Sequence, residues 1–373
     1  MWRLIAGQVR QIDTPVAVIA FARDSLIKNT TTAGATQRRV VAIYFFLAVL
    51  NIATWAATAV AFRSFPALLG TAFLAYSLGL RHAVDADHIA AIDNVTRKLM
   101  QENKRPVAVG LMFSLGHSTV VFIGSLLIAS AASALRTRLG AFQQVGGLIG
   151  TLVSMLFLFL IAFINLFVLR SVYATFRKVR AGEPYNAEDL DLLLSGRGLL
   201  SRLFRPLFRL ITRSWHMYPL GVLFGLGFDT ATEVGLLGIA ATEASKGLPF
   251  WYVLLFPLLF ASGMSLVDTT DSVLMLGAYG WAFQKPIRKL YYNVTITSVS
   301  VVIAFGVGGL EALGLASEHF QFKGGFWEFV ASLNRSFGTI GYAIIALFVA
   351  SWIISVAIYR VRRFDEIRVT KEV

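Results

Sequence analysis

The sequence predicts an all-α integral membrane protein with eight transmembrane helices. Of its 373 residues, 56% are hydrophobic and only 15% are charged, and the mean hydropathy is +0.67. This balance is far more apolar than that of a typical soluble domain. Several stretches of about 20 or more residues lack charge, and a helix of that length spans the hydrocarbon core of a bilayer.

Five of the predicted spans contain no Asp, Glu, Lys or Arg, whereas three carry charged residues near their middle. The uncharged spans are Val40–Phe62, Pro106–Leu135, Leu139–Leu169, Leu290–Leu310 and Ser336–Tyr359. The charged spans are Pro66–Ile92, Trp215–Thr242 and Leu248–Phe283. Because a charge inside a bilayer is costly, the charged spans are where a functional site is expected.

The distribution of basic residues predicts the topology. Most of the 34 Lys and Arg residues lie on the cytoplasmic side if the N-terminus is cytoplasmic, in agreement with the positive-inside rule. Both termini are therefore predicted to be cytoplasmic, and the net charge of +13 requires no nucleic acid partner. The lipid bilayer is the expected environment. No small-residue cleavage pattern follows the short apolar piece near the N-terminus, so no signal peptide is predicted.

This topology divides the chain into five segments. Residues 1–38 form a cytoplasmic N-terminal segment, 39–170 the first transmembrane half with helices 1–4, 171–214 a basic cytoplasmic linker, 215–360 the second transmembrane half with helices 5–8, and 361–373 a cytoplasmic tail. The linker is polar and contains Gly and Pro, which is typical of a connection and not of a folded domain.

The absence of cysteine excludes several classes of function. A disulfide scaffold, a thiolate zinc or iron–sulfur site, a cysteine nucleophile and a thiol redox relay all require Cys, and the chain has none. The 7 methionines do not favour a Cu(I) route, which uses soft sulfur ligands.

Ionisable residues inside the predicted spans indicate a cation site. Six carboxylates and three histidines accompany a single arginine: Asp85, Asp87, Asp229, Glu233, Asp268, Asp271, His82, His88, His117 and Arg81. One arginine cannot neutralise six carboxylates, so the surplus predicts a cavity suited to a cation. Taken alone, any one carboxylate could pair with Arg81, and His117 could be a packing histidine. We assign no role to His216 or His319.

Helical spacing brings acidic residues of the later spans together in pairs. Asp229 and Glu233 share a helix face at i, i+4, and Asp268 and Asp271 do so at i, i+3. Each pair can therefore point toward a common interior.

The charged motif of the second span does not fit one regular helix. His82, Asp85 and His88 lie within about 120° of arc, but Asp87 lies about 140° from His82. Either the helix is unwound here, or Asp87 orients a ligand or binds a second helix. Gly79, just before the motif, is a weak indication of unwinding.

The combination of ligand types narrows the choice of ion. Imidazole nitrogens together with carboxylates suit divalent transition metals such as Ni²⁺, Co²⁺, Cu²⁺ or Zn²⁺, whereas Mg²⁺ and Ca²⁺ prefer shells of oxygen. The sequence therefore predicts a transition-metal substrate.

A short internal similarity suggests an inverted repeat. Leu78-Gly79-Leu80 and the following Asp residues resemble Phe224-Gly225-Leu226 and Asp229, and the third and sixth spans share a Gly followed by polar residues. An offset of three helices reverses the direction of crossing, as in many transporters that bind substrate between interrupted helices.

Four motifs resemble the signatures of the nickel/cobalt transporter (NiCoT) family of secondary permeases. They are RHAVDADHI at 81–89, FSLGHSTVV at 113–121, LGFDTATE at 226–233 and GMSLVDTTD at 263–271. They occur on four different predicted helices, in order, and the eight-helix layout covers the whole chain.

The resemblance implies high-affinity, ATP-independent uptake of Ni²⁺ or Co²⁺ across the cytoplasmic (inner) membrane. It implies that His82, Asp87 and His88 are central to metal binding, and we add Asp85 and His117 as candidate ligands from their position. The remaining signature positions are expected along the transport pathway, together with Arg81: Asp229, Thr230, Thr232, Glu233, Asp268, Thr269 and Asp271. No cofactor is expected, because the metal ion is the transported substrate.

Three alternatives stay open from the sequence. The first is a related Ni/Co efflux permease, but the linker from Ala181 to Arg213 contains no His, and exporters of that kind tend to have a His-rich segment there. The second is a membrane metalloenzyme, which the 5 histidines and the lack of a His-Glu-x-x-His motif disfavour. The third is a membrane scaffold, which does not explain the intramembrane carboxylates. Metal preference, energy coupling and oligomeric state do not follow from the residues.

Overall fold

A computed structural model describes residues 15–102, 104–130, 136–180, 211–226, 231–282 and 286–361. Within these ranges the regular structure is helical and contains no strand. The α-helices are α1 Pro15–Ala61, α2 Ala67–His82, α3 Ala86–Gln101, α4 Val109–Ser130, α5 Arg136–Arg180, α6 Met217–Gly225, α7 Ala231–Ser245, α8 Phe250–Val253, α9 Leu255–Ala282, α10 Pro286–Phe320, α11 Gly325–Asn334 and α12 Phe337–Val361. A 3₁₀ turn, Ser214–His216, precedes α6.

The chain forms two compact units, Met1–Phe46 and Leu47–Val373. The candidate site lies in the second unit. The linker residues 181–210 and the tail residues 362–373 lie outside the described ranges.

The helices have the length and composition of membrane spans. Among the described residues, 6 helices are long and apolar enough to cross a bilayer, or 7 if the bent pair α2 and α3 counts as one span. Large apolar side chains such as Ile52 and Trp251 are 69% and 74% exposed on the surface. Such exposure is expected for a surface that faces lipid. The chain is therefore a multi-pass membrane protein.

The second predicted span is broken in the middle of its charged motif. Helices α2 and α3 are bent by 51° relative to each other. Asp85 has extended backbone angles, φ −64° and ψ 147°, and the preceding turn is tightened by hydrogen bonds from the Val84 and Asp85 amides to the carbonyls of Arg81 and His82. The structure therefore adopts the first of the two predicted alternatives, an unwound helix.

Gly79 serves close packing and is not the point of unwinding. It lies within α2, and a Cβ atom on it would be 2.1 Å from the carbonyl oxygen of Phe260 in α9. Reciprocally, a Cβ on Gly263 of α9 would be 2.9 Å from the carbonyl oxygen of Tyr76. Small residues let membrane helices approach closely, so α2 and α9 cross with their backbones in direct contact.

Helices α4 and α6 also cross with their backbones in direct contact. A Cβ on Gly221 would be 2.1 Å from the carbonyl oxygen of Phe113, and a Cβ on Gly116 would be 2.0 Å from that of Tyr218. The two crossings share a Tyr-x-Leu-Gly segment in α2 and α6 and a Phe-x-x-Gly segment in α9 and α4.

Candidate metal centre

Three histidines from three helical segments meet inside the protein. His82 is the last residue of α2, His88 lies in the first turn of α3, and His117 lies in α4. One ring nitrogen from each lies within 4.8 Å of the other two. The side chains are buried, with exposures of 1%, 0% and 3%. The break between α2 and α3 makes this meeting possible, because it turns His88 back toward His82.

His82 is held by hydrogen-bonding groups on one side of its ring. Its Nδ1 atom lies 3.0 Å from Oδ2 of Asp85 and 3.0 Å from the hydroxyl oxygen of Thr232. If Nδ1 donates its proton to the Asp85 carboxylate, the lone pair remains on Nε2. That Nε2 atom lies 2.9 Å from Nε2 of His117.

His88 is held in the same manner by a carboxylate of α9. Its Nδ1 atom lies 3.3 Å from Oδ2 of Asp268, and both side chains are 0% exposed. The opposite nitrogen, Nε2, is buried and has no hydrogen-bond partner among the described residues. A buried, unpartnered ring nitrogen beside a carboxylate-bound one is the arrangement of a metal-ligating histidine.

Glu233 of α7 brings a negative charge to the histidine cluster. Its Oε1 atom lies 2.8 Å from Nε2 of His117 and 3.9 Å from Nε2 of His82. Two ligand atoms each about 2.05 Å from an ion and at right angles to it are about 2.9 Å apart. The separations of 2.8 Å from Glu233 to His117 and 2.9 Å from His82 to His117 match this spacing of ligands around one small divalent ion, whereas the 3.9 Å from Glu233 to His82 is longer.

Aromatic rings pack against the histidine cluster and separate it from water. The ring centroid of Phe113 is 4.8 Å from that of His88, and the centroid of Phe260 is 5.5 Å from that of His82. Apolar walls of this kind exclude water and strengthen the attraction between a cation and the carboxylates.

Close helix packing fixes the positions along the helices at which these groups meet. A Cβ on Gly110 of α4 would be 1.9 Å from the carbonyl oxygen of Asp268 in α9. A Cβ on Gly225 of α6 would be 2.9 Å from the carbonyl oxygen of His117. Glycines thus position the backbones of Asp268 and His117 directly.

The remaining predicted site residues lie around this centre or outside the described ranges. Thr269 is buried beside Asp268, Asp87 is half-buried in the first turn of α3, and Arg81 is exposed at the end of α2. Asp271 is half-buried, and its Oδ2 atom has no hydrogen-bond partner among the described residues. Asp229 and Thr230 lie outside the described ranges.

A buried polar network farther along α3 was not predicted from the sequence. Arg97, 1% exposed, donates hydrogen bonds to Thr297 at 3.1 Å and to Asn94 at 2.8 Å. Asn165 also donates to Asn94, at 2.6 Å. These residues connect α3 to α5 and α10.

The predicted second span ends at Ile92, but the helix extends further. In the structure α3 continues to Gln101, and its residues from His88 onward are buried. Asp93 accepts a hydrogen bond from Ser300 at 2.7 Å. Ile92, Val95 and Leu99 recur at i, i+3 and i+7, which is the spacing of one helix face, and no Gly or Pro interrupts the stretch.

Comparisons with known proteins identify relatives of the chain. The profile of the family of high-affinity nickel-transport proteins, NicO, matches residues 68–358. The chain is 59% identical over 333 residues to a high-affinity nickel transport protein of Cupriavidus necator, covering 89% of this chain and 95% of that relative. It is 49% identical over 298 residues to the nickel transporter NixA of Staphylococcus aureus, covering 80% and 87% of the two chains.

A relative with a cobalt-related name is also similar. The cobalt transport protein NhlF of Rhodococcus rhodochrous is 45% identical over 288 residues, which cover 76% of this chain and 81% of that relative. No solved structure matches the chain.

Proposed function

Because the chain belongs to the family of high-affinity nickel-transport proteins, we propose that it carries Ni²⁺ or Co²⁺ into the cell across the cytoplasmic membrane. The observation that carries this proposal is the buried cluster of His82, His88 and His117, with one nitrogen of each within 4.8 Å of the others. Relatives named for nickel and for cobalt support both ions as substrates.

In the proposed site, the three histidines and Glu233 bind the ion. Asp85 and Asp268 lie on the Nδ1 sides of His82 and His88, so we assign them the role of orienting these rings. Carboxylates in this position also make the imidazole a stronger ligand. Asp87 and Asp271, both half-buried, are assigned to the path along which the ion enters or leaves.

The ligand set explains selection against the abundant divalent ions. Mg²⁺ keeps several waters and prefers oxygen ligands, and Ca²⁺ takes 6–8 oxygens. A site with three imidazoles does not replace those shells, whereas Ni²⁺ and Co²⁺ accept nitrogen and oxygen together.

We further propose eight membrane crossings arranged as an inverted repeat. The eighth crossing would consist of α6 and α7 together, which cover most of the predicted Trp215–Thr242. Support comes from the two glycine crossings, because Gly79 faces the Phe260 carbonyl as Gly221 faces the Phe113 carbonyl. A Cβ atom on either glycine would lie 2.1 Å from that oxygen. Such a repeat allows the two halves to rock about a site near the midplane.

The proposed direction of transport is inward, with both termini cytoplasmic. An inside-negative potential contributes about 2.3 kcal/mol per charge per 100 mV, and therefore about twice that for a divalent ion. Proton exchange at the His and Asp groups is a second possible source of energy.

The test is uptake of labelled Ni²⁺ and Co²⁺ at nanomolar concentration by cells that express the chain, beside cells with an empty vector. We expect the expressing cells to accumulate more metal. If they hold less metal than the control, the protein is an exporter. Equal metal content, with the protein present in the membrane, would contradict transport of these ions.

Replacing Asp268 by asparagine tests the orienting role of this carboxylate. The amide keeps the size of the side chain but removes the charge that holds Nδ1 of His88 at 3.3 Å. Loss of such a partner typically weakens metal binding by about 10–100-fold. We expect the KM for Ni²⁺ uptake to rise by about that factor. An unchanged KM would contradict the orienting role.

A further inference from the structure

The first turns of α12 lie directly against the break between α2 and α3. Gly338 and Gly341 are buried, whereas Tyr342 is 58% exposed. A Cβ on Gly341 would lie 1.5 Å from the carbonyl oxygen of Val84. No side chain, not even a methyl group, fits between α12 and the backbone of the break.

Gly338 faces side chains of the break instead of its backbone. A Cβ there would lie 3.1 Å from Oδ1 of Asp85 and 3.4 Å from Nε of Arg81. Both contacts are to the ends of side chains that can rotate. The same buried edge of α12 continues with Ile344 and Phe348, which are 6% and 9% exposed.

The break depends on its neighbours for its shape. A regular helix is fixed by its own hydrogen bonds, but at a break the chain leaves that ladder, so packing against other helices determines the local conformation. Val84 lies between the two helices, next to Asp85 and two residues after His82. A shift of the Val84 carbonyl therefore moves His82 relative to His88.

We propose that Gly341 is a positioning residue for the metal centre. The bare backbone of α12 at this position supports the break, and the break sets the spacing between His82 and His88. This inference rests on the proposed metal site, but it concerns a helix that contributes no ligand. It assigns α12 the role of a fixed support behind the interrupted helix.

The test compares three purified variants loaded with Co²⁺, whose absorption spectrum reports the geometry of its ligands. Gly341→Ala is expected to change the Co²⁺ spectrum, to lower the Ni²⁺ affinity by about tenfold or more, and to alter the ratio of Ni²⁺ to Co²⁺ uptake. Gly309→Ala in α10 is the matched control, because a Cβ there meets nothing within 4 Å. This control should keep the wild-type spectrum and affinity.

Gly338→Ala provides the second variant in case Gly341→Ala does not accumulate in the membrane. It displaces the Asp85 carboxylate that orients His82, so we expect a smaller change of the same kind. Wild-type affinity, spectrum and selectivity in every glycine variant of α12 that reaches the membrane would overturn the inference. If the wild-type protein itself shows no saturable Ni²⁺ or Co²⁺ binding, the proposed function fails instead.

Discussion

Replacing His88 by alanine is expected to abolish Ni²⁺ uptake, with a loss of at least about 100-fold. Its Nε2 atom is buried without a partner among the described residues, and its ring centroid is 4.6 Å from that of His82. The substitution removes one of the three clustered ring nitrogens. The measurement is the initial rate of labelled Ni²⁺ uptake at matched protein levels in the membrane.

The control for this substitution is His319→Ala. His319 is exposed in the last turn of α10, away from the cluster, and its variant should transport at the wild-type rate. Removing a polar side chain from a membrane span does not hinder insertion, so His88→Ala should reach normal levels. Substantial uptake by His88→Ala would show that His88 is not a ligand, and failure to reach the membrane would indicate a structural role.

Replacing Glu233 by glutamine is expected to lower uptake by a similar factor. Glu233 is 1% exposed, and its carboxylate lies 2.8 Å from Nε2 of His117. Neutral imidazoles provide no charge to offset a divalent cation, and a cation taken out of water is unstable without a nearby anion. Glutamine keeps the shape and removes that charge. We expect the affinity for Ni²⁺ to fall while the stability of the protein stays close to that of the wild type.

Glu243→Gln is the matched control on the same helix. Glu243 is near the other end of α7, where it pairs with Lys246 at 2.9 Å. Its variant should transport normally, because an ion pair with an exposed lysine contributes little. Equal uptake by the wild-type protein and Glu233→Gln would contradict the assignment of Glu233 as a charged ligand.

The sequence predicted which residues form the site better than it predicted the backbone geometry that brings them together. The motifs at 81–89, 113–121 and 263–271 do meet, because residues that are costly in lipid must share one interior. The geometry of an ideal helix also indicated the break as one of two alternatives, since Asp87 does not share a helix face with His82 and His88. The exact point, at Asp85, lies against α12, and no local pattern encodes this long-range contact.

The proposed inverted repeat can be aligned in two ways that differ by one helical turn. The sequence comparison matched Gly79 with Gly225, whereas the contacts of Gly79 are reproduced by Gly221. Positions four residues apart lie on nearly the same face of a helix, so a short similarity does not distinguish them. The carbonyl that each glycine contacts does distinguish them.

The most direct test of the central claim is X-ray absorption spectroscopy of the purified protein loaded with one equivalent of Ni²⁺. The account predicts scattering from three imidazole rings, with ligand nitrogens at about 2.0–2.1 Å, and one ring fewer in His117→Ala. A shell made only of oxygen, or a wild-type spectrum that His117→Ala does not change, would contradict the claim that His82, His88 and His117 bind the transported ion together.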